Sequence, residues 1–341
     1  MSLPEPILLG DTPLGPPVFL APMAGITDLP FRRAVARHGG AGLMVSEMVA
    51  STEMVTPRPS TRMAVRAKAM TEGVLPVSVQ IAGREAGAMA ETARIVAGMG
   101  ARIIDINMGC PAKKVTGGLS GAALMRDLDH ALELVEAVVG AVPDLPVTLK
   151  MRLGWDEDCL NAPELAARAA AAGVRMLTVH GRTRAQFYTG RADWSRIRKV
   201  ANLPDRPPLV ANGDVVDAAS ARLALEQSGA DAVMVGRGAQ GAPWKLAQIA
   251  HDLWGTPAPL IPQGAALADA VAEHYEDILS LYGAELGLRV ARKHLGWYAE
   301  ANGAPNRAEL LRALSPDAAL AAIRAGFSDA RTSEPYAEAP E

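Results

Sequence analysis

A chain of 341 residues, 49% hydrophobic and 21% charged, holds enough apolar material for one large globular domain and a smaller one. Its 34 Lys and Arg against 37 Asp and Glu leave a net charge of −3, which excludes the global basic field of a nucleic-acid packaging protein and confines any RNA to a local patch. Two cysteines exclude a disulfide scaffold, and residues 1–6 lack a charged, apolar leader. With no apolar run of membrane-spanning length, the expectation is a cytoplasmic protein with no membrane partner.

In chain order, eight β-rich runs alternate with Ala-rich helical stretches: 18–21, 42–46, 77–81, 103–106, 147–150, 176–180, 208–212 and 232–236. Strand, helix, strand, repeated, means parallel strands with crossover helices, and eight such units make a (β/α)8 TIM barrel. Between them Leu124, Leu128, Leu132 and Val135 recur at helical spacing and are expected to cover the barrel's outside. After Trp244 only helical patterns remain, from near Ala265 to about Gly326. Val271, Tyr275, Ile278 and Tyr282 form one apolar stripe there, and Leu288, Ala291 and Leu295 form another. Arg289, Arg292 and Lys293 share a face of the second of these helices, either as a solvated face or as an RNA-facing patch. The organisation expected is a barrel domain over 1–250, a small all-helical domain over 251–330, and a polar, acidic, disordered tail over 331–341.

Nearly every β run ends in polar or Gly residues, and barrel enzymes keep their active sites at that face. The fourth run leads into Asp105, Ile106, Asn107, Met108, Gly109, Cys110 and Pro111. Strands avoid Asn and Gly, so the two beside a thiol at a strand end favour function, although Cys110 alone would pass for a small buried hydrophobe. Lys150 projects into the mouth and needs an anionic partner there, which a reduced flavin ring would supply. Gln80 and His180 are candidates for the ring's edge or its phosphate, and His180 is equally compatible with a structural role. Asn212-Gly213-Asp214 and Gly236-Arg237-Gly238 end the last two runs and form a phosphate-holding corner, implying a phosphorylated cofactor. No metal-ligand spacing and no nucleophile elbow occur, and the GxGxxG match beginning at Gly236 follows the last strand with no βαβ unit after it.

Taken together, Ala21-Pro22-Met23-Ala24-Gly25-Ile26-Thr27-Asp28, Gln80-Ile81, the cysteine motif, Leu149-Lys150-Met151-Arg152, His180-Gly181-Arg182-Thr183 and the two phosphate-corner motifs resemble the tRNA-dihydrouridine synthases. The closest likeness is to the bacterial branch with an NMGCPAKKV cysteine motif. This resemblance implies FMN in the barrel, NADPH as reductant and tRNA gripped by the helical domain. It places Pro22, Met23 and Ala24 along the flavin ring, Gln80 and Lys150 at its edge, and Asn212, Gly213, Asp214, Gly236 and Arg237 on the ribityl phosphate. Cys110 matches the family's proton donor, and Asn107 would position the base or flavin.

The chemistry so implied is reduction of the uracil C5=C6 bond: hydride from flavin N5 adds at C6, and an acid on the other side of the base protonates C5. A thiol mostly protonated at neutral pH suits that acid. The uridine must leave its stack to reach a barrel floor, with Lys113, Lys114 and the Arg292 face as phosphate contacts. Two rivals stand beside this reading: an FMN enzyme of free pyrimidines related to dihydroorotate dehydrogenase, and a catalytically silent RNA-binding barrel.

Overall fold

The computed structural model describes residues 3–56, 69–72 and 77–328. All eight expected runs form strands: β1 (Val18–Leu20), β2 (Leu43–Val45), β3 (Val77–Ala82), β4 (Ile103–Met108), β5 (Val147–Arg152), β6 (Met176–His180), β7 (Leu209–Asn212) and β8 (Ala232–Val235). Each pairs in parallel with its neighbour, β8 pairs with β1, and β2 pairs with β3, so the sheet closes on itself. This is the (β/α)8 barrel expected from the count of runs.

Strand alternation sorts the side chains. In β5, Val147, Leu149 and Met151 join the large apolar cluster between strands and helices, leaving Thr148, Lys150 and Arg152 to face inward. The same parity in the other strands gives an inner cluster of Phe19, Ala21, Leu43, Val45, Ile103, Met176, Val210, Ala232 and Met234. Leu9 and Leu14 join it from an antiparallel hairpin, Ile7–Leu9 with Thr12–Leu14, that turns at Gly10 with φ +57°. The barrel is thus apolar at the N-terminal ends of its strands and polar at their C-terminal ends.

Eight helices concern the argument below. Helix α1 (Leu29–Ala36) starts where the Asp28 carboxylate accepts the Phe31 N–H at 3.1 Å with Pro30 in the first turn, a well-formed N-cap. The stripe from Leu124 to Val135 is not one helix. It divides into a 3₁₀ turn, Gly121–Arg126, and α2 (Leu128–Ala141), because the Asp127 side chain caps the latter through the His130 N–H at 3.1 Å. Helix α3 (Lys245–Trp254) lies outside the sequence expectation, and its Leu246, Ile249, Ala250 and Leu253 are buried in the barrel cluster.

From Ala265 onward α4 (Ala265–Tyr282), α5 (Ala284–Ala301), α6 (Arg307–Arg312) and α7 (Pro316–Phe327) enclose a second apolar cluster with Trp244, Val271, Tyr275, Ile278, Leu295, Tyr298 and Phe327. Helix α8 (Ala86–Gly98) packs on α2 at the barrel's outside. The helical unit docks on α1, where Arg37 reaches Glu273 at 2.7 Å and Asp277 at 2.9 Å and Phe31 sits beside the His274 and His294 rings. Both histidines are buried, and burial lowers His274 to about 3 and His294 well below the usual imidazole range, so both are neutral. The expected disorder of 331–341 concerns residues outside those described. Among the described residues, no helix is long and apolar enough to cross a membrane.

Candidate active site

The register of the barrel stacks the inward side chains in layers. Gln80, Asp105 and Thr148 face one another across β3, β4 and β5, and one layer nearer the mouth Asn107 pairs with Lys150. Asp105 is buried, and desolvation raises its carboxyl, while hydrogen bonds from Thr148 Oγ1 at 2.5 Å and Gln80 Nε2 at 2.6 Å and the charge of Lys150 pull it back down. Gln80 Oε1 accepts from Asn107 Nδ2 at 2.7 Å, and Asn107 Oδ1 accepts the Gly109 and Cys110 N–H groups at 3.1 and 2.9 Å. A chain of hydrogen bonds therefore runs from the barrel floor to the cysteine loop. Asn107 acts on the backbone that carries the thiol.

The second strand of this architecture concerns cations. Lys150 Nζ donates to Asn212 Oδ1 at 2.8 Å, and Asn212 Nδ2 donates to Met234 O at 2.8 Å, which fixes the amide's orientation. Burial and then the Arg152 charge lower Lys150 to about 8, with Asp105 and Cys110 opposing. Arg152, 2% exposed and lowered to about 10 mainly by burial, donates to Gly109 O at 2.9 Å, Thr183 O at 2.7 Å and Phe187 O at 2.8 Å. Its guanidinium ties the cysteine loop to the loop after β6. Cys110, half-buried, lies within electrostatic reach of both Lys150 and Arg152, so thiol and cations share one mouth.

At the opposite side, Arg182 clasps Asp214 through two bonds of 2.9 and 2.7 Å, and Asp214 also accepts the Ala192 N–H at 2.7 Å and approaches Arg237 at 3.5 Å. The backbone is forced to suit: Asp214 has φ +51° and Gly213 φ +106°, and a Cβ on Gly213 would come within 2.7 Å of Ala192 and 3.2 Å of the His180 ring. Among the described residues the buried His180 Nδ1 has no hydrogen-bond partner, and burial together with Lys150, Arg152, Arg182 and Arg237 keeps the ring neutral.

Of the residues singled out in the sequence, the structure gathers Cys110, Asn107, Gln80, Lys150, His180, Asn212, Gly213, Asp214 and Arg237 at the C-terminal ends of the strands, and a Cβ added to Gly236 would stand 3.7 Å from Met23 Sδ. Pro22 and Met23 are half-buried on the loop after β1, and Ala24 is exposed there. The Asp214 carboxylate is engaged with guanidiniums and is not free to meet an anion. Lys113 and Lys114 stand exposed on a short helix, Lys113–Thr116, just beyond Cys110.

The basic face of α5 does not act as one patch. Arg289 is exposed and meets Glu285 at 3.5 Å, Arg292 turns toward Ala313 O at 3.5 Å, and Lys293 donates to Gly25 O in the loop after β1. Sequence reasoning gave no role to Asp105, Arg152, Arg182 or Glu47. The period-2 pattern through Thr148, Lys150 and Arg152, continued as Thr178, His180 and Arg182, was the signal that could have found the two arginines.

A closed parallel barrel whose strand ends bring one thiol, several cations and an orphaned imidazole to a common mouth is the framework of a barrel enzyme. The family described as "Dihydrouridine synthase (Dus)" matches residues 19–330, and the chain belongs to it. A probable tRNA-dihydrouridine synthase of Rhodobacter capsulatus is 69% identical over 95% of this chain and 98% of its own length. Another of that name from Rhizobium leguminosarum is 55% identical over 83% and 85%, and a tRNA-dihydrouridine synthase B of Xanthomonas campestris is 45% identical over 94% and 95%. Among solved structures, a 2-naphthoyl-CoA reductase complex shares the fold at 12% identity with TM-score 0.59, covering 74% of this chain and 52% of that one. An old yellow enzyme homologue from Zymomonas mobilis does so at 15% and 0.51, covering 71% and 90%.

Proposed function

We propose that this chain is a cytoplasmic tRNA-dihydrouridine synthase that reduces the C5=C6 bond of uridines in tRNA with FMN bound in the barrel mouth and NADPH as reductant. The observation that carries the reading is Lys150, whose charge reaches Cys110 and whose ammonium donates to Asn212 of the strand-end corner, so that thiol and corner share one cation. The residues fit FMN: among the described residues the buried His180 Nδ1 has no hydrogen-bond partner, Gly213 packs its backbone directly against the His180 ring and Ala192, and Arg237 adds a largely exposed cation. Pro22, Met23 and Ala24 would line the ring, Gln80 and Lys150 its edge, and the backbone of Asn212, Gly213 and Gly236 with Arg237 the phosphate. When bound and reduced, the flavin supplies the hydride that adds to uracil C6.

The chain's own residues do the rest. The Cys110 S–H gives its proton to C5 as the enolate collapses, leaving a thiolate beside the Lys150 and Arg152 charges that stabilise it. Asn107 and Arg152, by gripping the Gly109 and Cys110 backbone, set where the sulfur stands. Lys113, Lys114 and Arg289 remain exposed for phosphates of a flipped-out uridine's strand. We take residues 251–330 as the tRNA-gripping unit, because an enzyme of free pyrimidines has no use for a helical body anchored beside the mouth.

The test is dihydrouridine by mass spectrometry after incubating purified protein with NADPH and tRNA lacking the modification. Appearance of dihydrouridine is the expected result. A yellow protein that consumes NADPH without forming it would transfer the reading to free pyrimidines, and a colourless one would favour a silent RNA-binding barrel.

A further inference from the structure

The loop after β1 is held by groups from two different bodies of the molecule. Its Gly25 N–H donates to Glu47 Oε2 at 2.6 Å, from the segment after β2, and its Gly25 carbonyl accepts the ammonium of Lys293 from α5. Three residues on, the Tyr282 hydroxyl at the end of α4 donates to Asp28 Oδ2 at 3.0 Å, and Arg32 Nη1 donates to Thr27 O at 2.7 Å. The loop also folds on itself, with Met23 N–H donating to Thr27 Oγ1 at 2.9 Å and Ile26 N–H to Met23 O at 2.9 Å. Gly25 sits at φ +71°, and a Cβ there would come within 3.3 Å of Lys293 Nζ, so the ammonium approaches the backbone at a point where only glycine leaves it space.

We propose that Lys293 is a positioning residue for the cofactor loop: by clasping the Gly25 carbonyl opposite Glu47 it lets the helical unit set the geometry of Pro22, Met23 and Ala24. The inference rests on the flavin reading of the mouth. Residues four positions apart on one helix share a face, yet Arg289 projects to solvent and Lys293 reaches the barrel, so α5 carries an outward cation and an inward one along a single rigid rod. A partner that seats on the outer end is thereby linked to the loop through one helix and one hydrogen bond. The charge of the Lys293 ammonium reaches the Asp28 carboxylate at α1's cap, which in turn lies near Glu47 and Arg32.

The experiment compares the full chain with Lys293→Met and Lys293→Arg, all without tRNA. Hydrogen exchange of the flavin-free proteins should show residues 23–27 exchanging at least tenfold faster in Lys293→Met, with exchange elsewhere in the barrel unchanged and Lys293→Arg restoring protection. In the same variant FMN should dissociate faster and its visible bands should shift. Unchanged exchange and unchanged flavin release would overturn the proposal, and a separate assay showing a raised KM for tRNA and a flatter salt dependence would then make Lys293 a phosphate contact. Should Lys293→Met not fold, Lys293→Gln removes the ammonium while keeping a polar side chain, and loop exchange indistinguishable from wild type there would equally overturn it. Because the exchange arm uses no flavin, a protein that proves to bind none still decides whether the helical unit holds this loop.

Discussion

The two sides of the barrel mouth are built differently. Around Asp214 every group is spoken for: Arg182, 2% exposed, makes two bonds to the carboxylate, Ala192 adds a third, and the backbone is bent into the left-handed region to permit them. Across the mouth, Cys110 is half-buried and is followed by a four-residue helix with two exposed lysines and by Gly117-Gly118. Asn107 and Arg152 hold the root of that loop, Ala122 N–H donates to the Cys110 carbonyl at 3.0 Å, and farther out Arg184 reaches Thr116 Oγ1 at only 3.4 Å. A small rigid ligand is best met by a site finished before it arrives, whereas a base swung out of a large folded RNA needs a side that adjusts. On the function proposed above, the finished side is the cofactor's and the adjustable side the substrate's.

Three changes test that division, in falling order of effect. Cys110→Ala should lower dihydrouridine formation roughly 10²–10⁴-fold, the usual worth of a general acid, while FMN content and NADPH oxidation stay as in wild type. Loss of flavin in this variant would erase the distinction between the two sides. Arg182→Met should abolish FMN binding and cost about 1–3 kcal/mol in urea denaturation, because it leaves the Asp214 carboxylate with only the Ala192 N–H and the looser Arg237 contact in a backbone bent to serve Arg182. A variant that keeps both flavin and stability would mean the corner is not prebuilt.

The third change is pH, acting through Lys150, which burial lowers to about 8. Its cation is present below that pH and lost above it, so FMN affinity should hold up to pH 8 and then weaken by at most about tenfold per unit. Stability moves the other way. Between pH 8 and the ordinary lysine range the unfolded chain binds the proton that the folded chain has released, so this group makes folding more favourable as pH rises. Affinity and unfolding midpoint measured on one sample series should therefore diverge, and parallel decline would remove Lys150 from the cofactor side.

Much of this was legible in the sequence because the strands announce themselves twice, by β-rich composition and by the polar residue that ends each one. The inward set followed from parity alone once β5 was read as Thr148, Lys150 and Arg152 against Val147, Leu149 and Met151. The N-terminal hairpin escaped because its strands are three residues long and Pro13 sits inside one, which argues against a strand. Helix α3 escaped for a different reason: Leu246, Ile249, Ala250 and Leu253 have full helical periodicity, and the pattern was simply read as starting later. Asp105 could not be assigned because its partners, Gln80 and Thr148, come from strands distant in sequence. Lys293 shows the same limit, since a helical pattern gives the face of a residue but not the body that packs on it.

Closure of the barrel depends on Val18, Phe19 and Leu20 meeting Val233, Met234 and Val235, the first strand against the last. During synthesis the first strand emerges long before its partner exists, and it must wait as an apolar ribbon with unpaired backbone while two thirds of the chain is still on the ribosome. The hairpin that precedes it, tucking Leu9 and Leu14 against Phe19, gives that ribbon a temporary cover made entirely of sequence already translated. Deleting the hairpin should thus reveal itself less in the finished enzyme than in the fraction of nascent chains that aggregate before they can close.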